Sequence, residues 1–306
     1  MDTLIYWFAR MLVAVIQALP LTLVARLGRR GGGLAYRLDV RHRRAALQNL
    51  TMCFGREKPE EEIRAIAREN FRRIGENFGC AVKTAAMSFA ALRPHLEFVG
   101  LEHLPGGTPG QPLPNIVFAI GHFGNFEIYA RLGQFRPDYQ CATTYRALKH
   151  AAFDRLLLEL RARSGCLFFE RRADGPLLRA AMHRQGVILG LLADQSTTGL
   201  RGPFLGHDCS TTLAPAVFAL RYHCDLHTAF CYRVALAKWR IELGEKIATH
   251  DNGKPRPSEE IMRDVNRFFE AAVLRDPANW FWVHRRWKPA EGKSEGGRER
   301  IENRHE

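Results

Sequence analysis

Apolar residues divide the middle of the chain into short continuous runs separated by segments with helical spacing. The runs have the length of buried strands and lie at 115–120, 139–144, 166–170 and 187–193. Apolar positions recur every three or four residues between them, at 125–135, 150–164 and 174–185. Strands that alternate with helices are typical of a parallel sheet covered on both faces. The pattern therefore predicts an α/β fold with a mostly parallel central sheet flanked by helices.

The same patterning extends the fold in both directions. Helices are predicted at 41–53, 59–86, 212–222 and 258–275, and strands near 227–234 and 238–243. Turn-rich loops are predicted at 104–114 and 245–257, and the polar tail 291–306 is predicted to be disordered. No repeat or long linker divides the chain. We therefore expect an N-terminal segment over residues 1–30, one main domain over 31–290, and the tail.

An apolar segment from Leu4 to Leu27 opens the chain. It is long enough for a bilayer span, which needs ~20 mostly apolar residues, and Gly31–Gly33 are predicted to break it from the next helix. Arginines follow closely, at positions 26, 29, 30, 37, 41, 43 and 44. By the positive-inside rule they place the rest of the chain in the cytoplasm. The segment is therefore predicted to be a membrane-anchoring helix, with an amphipathic helix docked on the domain as the alternative.

Charge and cysteine content narrow the classes of partner and compartment. The chain has 45 Lys and Arg against 32 Asp and Glu, a net charge of +13. This excess favours polyanionic partners such as nucleic acid, an anionic membrane or an acidic carrier protein, although a solvated arginine-rich surface is an equal alternative. Seven scattered cysteines without a CxxC pair indicate reduced thiols in a cytosolic compartment. His223 and His227 have metal-ligand spacing but straddle a predicted helix–strand junction, so no metal site is predicted.

The segment GHFGNFE directly follows the first predicted buried strand. Its His122 and Glu127 would point roughly 140° apart on a continuous α-helix, so they converge only if the chain turns. Gly124 and Asn125 supply that turn, Asn125 as the N-cap of a helix that begins near Phe126. A carboxylate bonded to one imidazole nitrogen raises the basicity of the other. The pair is therefore a candidate general base for a hydroxyl, with a structural histidine as the alternative.

Polar side chains also follow the other predicted strands. Tyr145 and Arg146 follow one, and Asp194 and Gln195 follow another. Because parallel strands bring their carboxyl ends to one edge of a sheet, these groups should meet the histidine there. Arginines at such an edge favour a phosphate-bearing substrate. The chain has no GxSxG elbow, P-loop or GxGxxG motif, so the direct route is attack of a substrate hydroxyl on an acyl donor, assisted by a base.

This set of residues resembles a known family. GHFGNFE is similar to the HxxxxD/E motif of the lysophospholipid acyltransferase superfamily, and the wider pattern resembles the bacterial lipid A secondary (lauroyl/myristoyl) acyltransferases. The matching pieces, in order, are the N-terminal apolar segment, 43–50, the motif at His122, 145–146, 161–165, 193–195, 206–212 and 277–287. Residues 196–203 and 207–209 depart from the family pattern and bear on the acceptor more than on the reaction.

The resemblance implies transfer of a fatty acyl chain from acyl-acyl carrier protein to a hydroxyl of a lipid A precursor. It implies an enzyme of the inner membrane with its catalytic domain on the cytoplasmic side. No cofactor is expected beyond the co-substrate, acyl-acyl carrier protein or acyl-CoA. The expected partners are acyl carrier protein, an anionic lipid acceptor and the membrane, and nucleic acid is not expected. By motif match, His122 is the base and Glu127 its partner.

The resemblance also assigns substrate-binding residues, namely Tyr145, Arg146, Arg161, Asp194 and Gln195. Arg161 and Arg163 leave the predicted helix 150–164 in different directions, so we expect only Arg161 to face the site.

Two alternatives stay open at this point. One is an acyltransferase of the same superfamily that acts on another glycolipid or phospholipid, with acyl-CoA or acyl carrier protein as the donor. The other is a non-enzymatic basic protein that binds membranes or nucleic acid. It would use the aromatic and basic segment Trp280–Trp287, on which bases could stack. We favour structural packing for these aromatic residues.

Overall fold

The computed structural model describes residues 2–106, 112–195 and 199–287. The α-helices are α1 (Asp2–Ala18), α2 (Leu21–Leu38), α3 (Val40–Phe54), α4 (Glu60–Ala85), α5 (Phe89–Leu92), α6 (Ala151–Ala162), α7 (Gly175–Met182), α8 (Ala214–Arg221) and α9 (Ser258–Arg275). The strands are β1 (Leu96–Val99), β2 (Ile116–Ile120), β3 (Gln140–Tyr145), β4 (Leu167–Glu170), β5 (Val187–Leu192), β6 (Leu200–Phe204), β7 (His207–Thr211), β8 (Asp225–Ala235), β9 (Lys238–Leu243), β10 (His250–Asp251) and β11 (Lys254–Pro255). Short 3₁₀ helices cover Arg93–His95, Leu101–His103, Phe126–Gln134 and Pro277–Asn279.

Among the described residues, seven strands form one sheet in the order β1-β9-β8-β2-β5-β3-β4. Every neighbouring pair is parallel except β8 and β9, which form an antiparallel hairpin. The predicted α/β fold with a mostly parallel sheet flanked by helices is therefore confirmed. The parallel arrangement brings the carboxyl ends of β2, β3, β4 and β5 to a common edge, as the sequence predicted.

β2 lies at the centre of the sheet and is buried along its whole length. Its alternating side chains serve two cores: Val117 and Ala119 belong to one apolar cluster and Ile116 and Phe118 to the other. Helices cover both faces, so no position of this strand can be polar. Full burial of side chains of this size contributes about 1.5–3 kcal/mol each. This burial explains the unbroken apolar run and makes β2 a rigid support for the residues that follow it.

The predicted break at Gly31–Gly33 is wrong, because α2 runs through it as one helix. Gly32 is needed for the close approach of α4, since a Cβ there would lie 2.1 Å from the carbonyl oxygen of Phe71. Gly28 and Gly75 meet in the same way, with 2.5 Å between a Cβ on Gly28 and the Gly75 oxygen. The glycines thus let two backbones touch rather than end a helix. The boundary predicted after residue 30 falls inside α2.

α1 packs against the domain through one face. Tyr6 is buried against Ala152 and Leu156 of α6, and its hydroxyl donates to Glu159 at 2.8 Å. Arg10 contributes an ion pair to the same carboxylate at 2.6 Å. Within the described residues, no helix has both the length and the apolar character needed to cross a membrane. The anchoring role of the N-terminal segment stays a prediction.

The structure adds elements that the sequence patterns did not predict. These are β1 at the sheet edge, the β6–β7 hairpin, and the β10–β11 hairpin inside the predicted loop 245–257. The segment predicted as a helix at 125–135 forms a 3₁₀ helix. The predicted tail 291–306 and part of the predicted loop 104–114 lie outside the described residues.

Candidate active site

His122 lies just beyond the carboxyl end of β2, where the sequence placed the site. Its side chain is 15% exposed. The rings of Phe126 and Phe281 lie 4.8 Å and 5.9 Å from the imidazole, centroid to centroid. His122 and Phe281 line a cleft that Phe78 of α4 also borders. The imidazole therefore faces a partly apolar cleft rather than the core.

Asp194 is the carboxylate that holds the imidazole. The register pairs Ile120 of β2 with Leu192 of β5, so residues two positions beyond each strand come side by side. One Asp194 oxygen lies 2.8 Å from His122 Nδ1, and the other accepts the His122 backbone N–H at 2.8 Å. Two contacts from one carboxylate fix the orientation of the ring. With Asp194 ionised, Nδ1 carries the proton and Nε2 keeps its lone pair.

The pKa of Asp194 is lowered from its ordinary value of 3.8 to about 2. Burial is the largest influence and would by itself raise the pKa, because the side chain is only 1% exposed. The positive charge of His122, the two hydrogen bonds from His122 and the hydrogen bond from Trp280 act in the opposite direction and together outweigh it. Asp194 is therefore a carboxylate near neutral pH.

Glu127, which the sequence predicted as the partner of the imidazole, is paired with Arg161. Its two oxygens accept from Arg161 Nε at 3.0 Å and from Nη2 at 2.5 Å. Within the described residues, the imidazole of His122 hydrogen-bonds Asp194 and Gln195 rather than Glu127. The cause is the backbone, because the 3₁₀ helix after residue 125 carries Glu127 to the last turn of α6. A part for Glu127 in catalysis stays a prediction.

Gln195 completes the surroundings of the imidazole. Its amide nitrogen lies 3.3 Å from His122 Nε2, the nitrogen opposite the Asp194 contact. The amide can donate to this lone pair, so it marks the position that a substrate hydroxyl would take. Gln195 was predicted as a substrate-binding residue, and the structure places it against the reactive nitrogen of the candidate base.

Of the other predicted binding residues, Tyr145 lies beside Arg161, whereas Arg146 lies apart from them. Arg161 lies over the Tyr145 ring at 5.9 Å, so these two predicted residues come together. Arg163 caps the same helix and is exposed, which agrees with the prediction that only Arg161 faces inward. Arg146 is exposed beyond β3 and makes no ion pair with the described residues. The structure thus leaves one predicted cation open to solvent at this edge.

Two glycines form the turn that positions the histidine. A Cβ on Gly121 would lie 2.7 Å from the ring of Phe123, so a larger residue does not fit. Gly124 has φ of +52°, and a Cβ there would lie 2.5 Å from the Cys231 carbonyl oxygen. The unusual backbone predicted at Gly124 is confirmed. Asn125 is the N-cap residue of the helix that begins at Phe126, as predicted, although its side chain makes no capping hydrogen bond with the described residues.

Trp280 is a site residue that the sequence interpretation missed. Its indole N–H donates to Asp194 at 2.9 Å, and the residue is 3% exposed. Asn70 of α4 holds this segment by donating to the carbonyl oxygens of Ala278 and Trp280. The packing interpretation of the aromatic segment is therefore supported, and the buried Trp280 and Trp282 are not available to stack on bases. The signal in the sequence is that a buried indole N–H needs an acceptor.

The two histidines considered as metal ligands, His223 and His227, have different environments. His223 sits at the junction between α8 and β8 with φ of +51°, and His227 is buried within β8, where Nδ1 contacts the Gly244 carbonyl oxygen at 2.9 Å. Among the residues that the structure describes, no group of three or more His, Cys, Asp or Glu side chains is placed to hold a metal ion. All seven cysteines are free thiols.

Comparison with known proteins identifies the family of the chain. A sequence model of the bacterial lipid A biosynthesis acyltransferases matches residues 1–289. The chain is 24% identical over 290 residues to the lipid A biosynthesis palmitoleoyltransferase of Escherichia coli (strain K12). The alignment covers 92% of this chain and 90% of that protein. Lipid A biosynthesis acyltransferases of Shigella flexneri and Haemophilus influenzae are also 24% identical, over 92% of this chain and 90% and 91% of theirs.

The chain therefore belongs to the bacterial lipid A biosynthesis acyltransferase family, because the match covers almost its whole length. It is an O-acyltransferase of lipid A biosynthesis type, as the resemblance of its motifs implied.

Proposed function

We propose that this chain transfers a fatty acyl chain from acyl-acyl carrier protein to a hydroxyl of a lipid A precursor, with His122 as the general base. The observation that carries the proposal is the double contact between Asp194 and His122. It directs the imidazole and leaves the lone pair of Nε2 toward the cleft. The Gln195 amide nitrogen lies 3.3 Å from Nε2 and would give way to the acceptor hydroxyl.

The chemical step needs no covalent enzyme intermediate. The acceptor hydroxyl gives its proton to His122 Nε2, and its oxygen forms an ester bond with the carbonyl carbon of the thioester. The carbon–sulfur bond then breaks, and the leaving thiolate takes the proton from the imidazolium. Asp194 stabilises the imidazolium that exists between the two transfers and keeps its own charge, because its pKa is low. One ester bond forms, one carbon–sulfur bond breaks, and the hydroxyl proton ends on the thiol, so the step needs no added reagent.

Glu127 has a different place in this proposal from the one predicted. Its ion pair holds Arg161, whose Nε and Nη2 are occupied, while Nη1 makes no hydrogen bond to the described residues. That free donor suits the thioester carbonyl oxygen or an acceptor phosphate. Glu127 would therefore serve catalysis by positioning a cation, and His122 would take its orientation from Asp194.

The donor and the location are parts of the same proposal. A net charge of +13 suits an acidic carrier protein better than a neutral partner, and an anionic lipid acceptor suits it equally. We propose attachment to the inner membrane with the catalytic domain on the cytoplasmic side. Acyl-CoA is the alternative donor, because the chemistry at the thioester is the same.

The deciding experiment incubates the purified full chain with a tetra-acylated lipid A precursor and either acyl-acyl carrier protein or acyl-CoA. Mass spectrometry should detect the mass of one added acyl chain, faster with the carrier-protein donor. His122→Ala purified in parallel controls for contaminating activity. No product with either donor would contradict the proposed acceptor, and equal rates would contradict the proposed donor.

A further inference from the structure

One face of α1 carries an unusual surface. Six large apolar side chains on it are between 53% and 78% exposed, namely Leu4, Trp7, Phe8, Met11, Leu12 and Val15. Their spacing confines them to one side of the helix, an arc of roughly 140°. Isolated exposed apolar residues are normal. A continuous apolar stripe that no other described element covers marks an interaction surface. We call these six residues the α1 stripe.

The opposite face of α1 is fastened to the domain. Tyr6 packs on α6, and Tyr6 and Arg10 both contact Glu159. At the other end of the helix, Gln17 donates to the Val82 carbonyl oxygen at 3.2 Å, and Lys83 donates to the Gln17 carbonyl oxygen. A helix held at both ends cannot turn its other face inward. The α1 stripe is therefore directed away from the domain.

The surface next to α1 along the chain is both apolar and basic. On α2, the exposed leucines are Leu23, Leu27, Leu34 and Leu38. Exposed arginines accompany them and make no ion pair with the described residues, at positions 26, 30, 37, 41 and 44. An open depression of about 570 Å³ on α3 continues this character, lined by Val40 and Leu47 together with Arg43 and Arg44. Leucine rows beside arginine rows match an anionic lipid surface, whose acyl chains and phosphates lie side by side.

We propose that α1 lies in the plane of an anionic bilayer surface and does not cross it, with the α1 stripe inserted at the boundary of headgroups and acyl chains. The proposal rests on the lipid acceptor of the proposed function, since a lipid substrate requires the cleft to stand at the bilayer. α1 has 17 residues and is about 25 Å long, less than the ~30 Å of a hydrocarbon core. Crossing would also remove the contacts of Tyr6 and Arg10 with Glu159 and expose Ala152 and Leu156.

Other occupants are less suited to this surface. The residues after 287 are polar and contain no apolar stripe that could cover it. A second copy of the chain would bring its own unpaired arginines against these arginines, and like charges oppose such contact. An anionic bilayer supplies both the apolar volume and the opposite charge.

The first test changes the α1 stripe in the full chain, because deleting residues 1–30 would cut α2 and its packing on α4. Phe8→Gln, Leu12→Gln and Val15→Gln are combined, and sedimentation with vesicles of phosphatidylcholine and phosphatidylglycerol is measured. We expect binding to fall by about a hundredfold or more. The matched control combines Phe268→Gln, Leu274→Gln and Val217→Gln, three exposed residues of α8 and α9, and should bind as the unchanged chain does. Equal binding by both triple variants would overturn the proposal.

The second test separates an in-plane helix from a spanning one. Leu12→Trp in a Trp7→Phe background places an indole at the middle of α1. Vesicles carry lipids brominated either near the headgroup or near the ends of the acyl chains. The quenching of the Trp7→Phe variant that keeps Leu12 is subtracted, so that the remaining signal comes from the indole at position 12. An interfacial helix lies ~5–10 Å deep, so the shallow bromines should quench more strongly. Stronger quenching by the deep bromines would mean that α1 spans the bilayer.

The oligomeric state and acyl transfer in micelles distinguish the remaining outcomes. Analytical ultracentrifugation without lipid should give a monomer; a dimer that dissociates in the stripe variant would mean that a second copy covers the surface. Acyl transfer to an acceptor in detergent micelles should continue in the stripe variant. Loss of transfer in micelles by every form of the chain would contradict the proposed function, whereas lipid binding would still decide the orientation of α1.

Discussion

Two carboxylates at the same edge of the sheet have opposite environments. Asp194 is 1% exposed, accepts three hydrogen bonds and has its pKa lowered to about 2. Glu127 is 26% exposed on its side chain, and its ion-pair partner among the described residues is Arg161. The first holds the imidazole of His122 in place from behind, and the second holds a cation that solvent can reach. The proposed function assigns these two environments different work, namely orienting the base and binding charge.

The origin of each residue explains the difference. His122 and Asp194 follow neighbouring parallel strands at matching register, so the rigid sheet fixes their separation. Glu127 and Arg161 come from a 3₁₀ helix and from the last turn of α6, elements that can adjust when a substrate enters. The four predictions below test this comparison, from the largest expected effect to the smallest.

Replacing the base should have the largest effect. His122→Ala should lower the rate of acyl transfer by about 100- to 10,000-fold, the range for a positioned general base. Circular dichroism should show an intact fold, because the side chain faces the cleft. His250→Ala, an exposed histidine of β10, is the matched control and should keep its rate. Near-normal turnover by His122→Ala would remove the proposed mechanism.

Replacing the orienting carboxylate should have the next largest effect. Asp194→Asn keeps the shape of the side chain but favours the wrong imidazole tautomer, so we expect the rate to fall by about a thousandfold. Glu127→Gln should cost less. The comparison between the two regions would fail if Glu127→Gln lowered the rate at least as much as Asp194→Asn, since the imidazole would then depend on Glu127 as the sequence predicted.

The Glu127–Arg161 pair should behave as one unit. Arg161→Ala and Glu127→Gln should each lower the transfer rate by about ten- to a hundredfold through misplaced substrate charge, and the double variant should be no worse than Arg161→Ala. Arg163→Ala controls for the loss of one positive charge on the same helix and should change little. Additive losses in the double variant would show that Glu127 acts independently of the arginine.

The smallest effect concerns the stability of the fold and its dependence on pH. Asp194 has a depressed pKa in the fold, so its ionised form stabilises the protein above about pH 4, and this contribution disappears as the pH falls through about 2. The difference in the free energy of urea unfolding between the unchanged chain and Asp194→Asn should therefore be about 2 kcal/mol larger at neutral pH than below pH 2, in favour of the unchanged chain. The gap should narrow between pH 4 and pH 2. A gap that is constant over this interval would show that ionised Asp194 gains nothing from folding.

A large part of the architecture was predictable because it depends on local pattern. The apolar run before GHFGNFE was predicted to be a buried strand and is one, and β9 and α9 begin and end where the periodicity placed them. The position of His122 at a sheet edge follows from the same run. Gln195 and Asp194 were placed at that edge by the parallel-strand argument alone.

Contacts between distant segments were decided only by the tertiary structure. The motif suggested the nearer carboxylate, Glu127, but the register of β2 with β5 put Asp194, 72 residues away from His122, against the imidazole. Trp280 joined them from 86 residues beyond Asp194. Gly32 indicated a helix break in the sequence and instead permits contact with Phe71 of α4. Periodicity reports which face of an element is buried, whereas strand order and close approach depend on which elements meet, and one sequence without its fold does not contain that information locally.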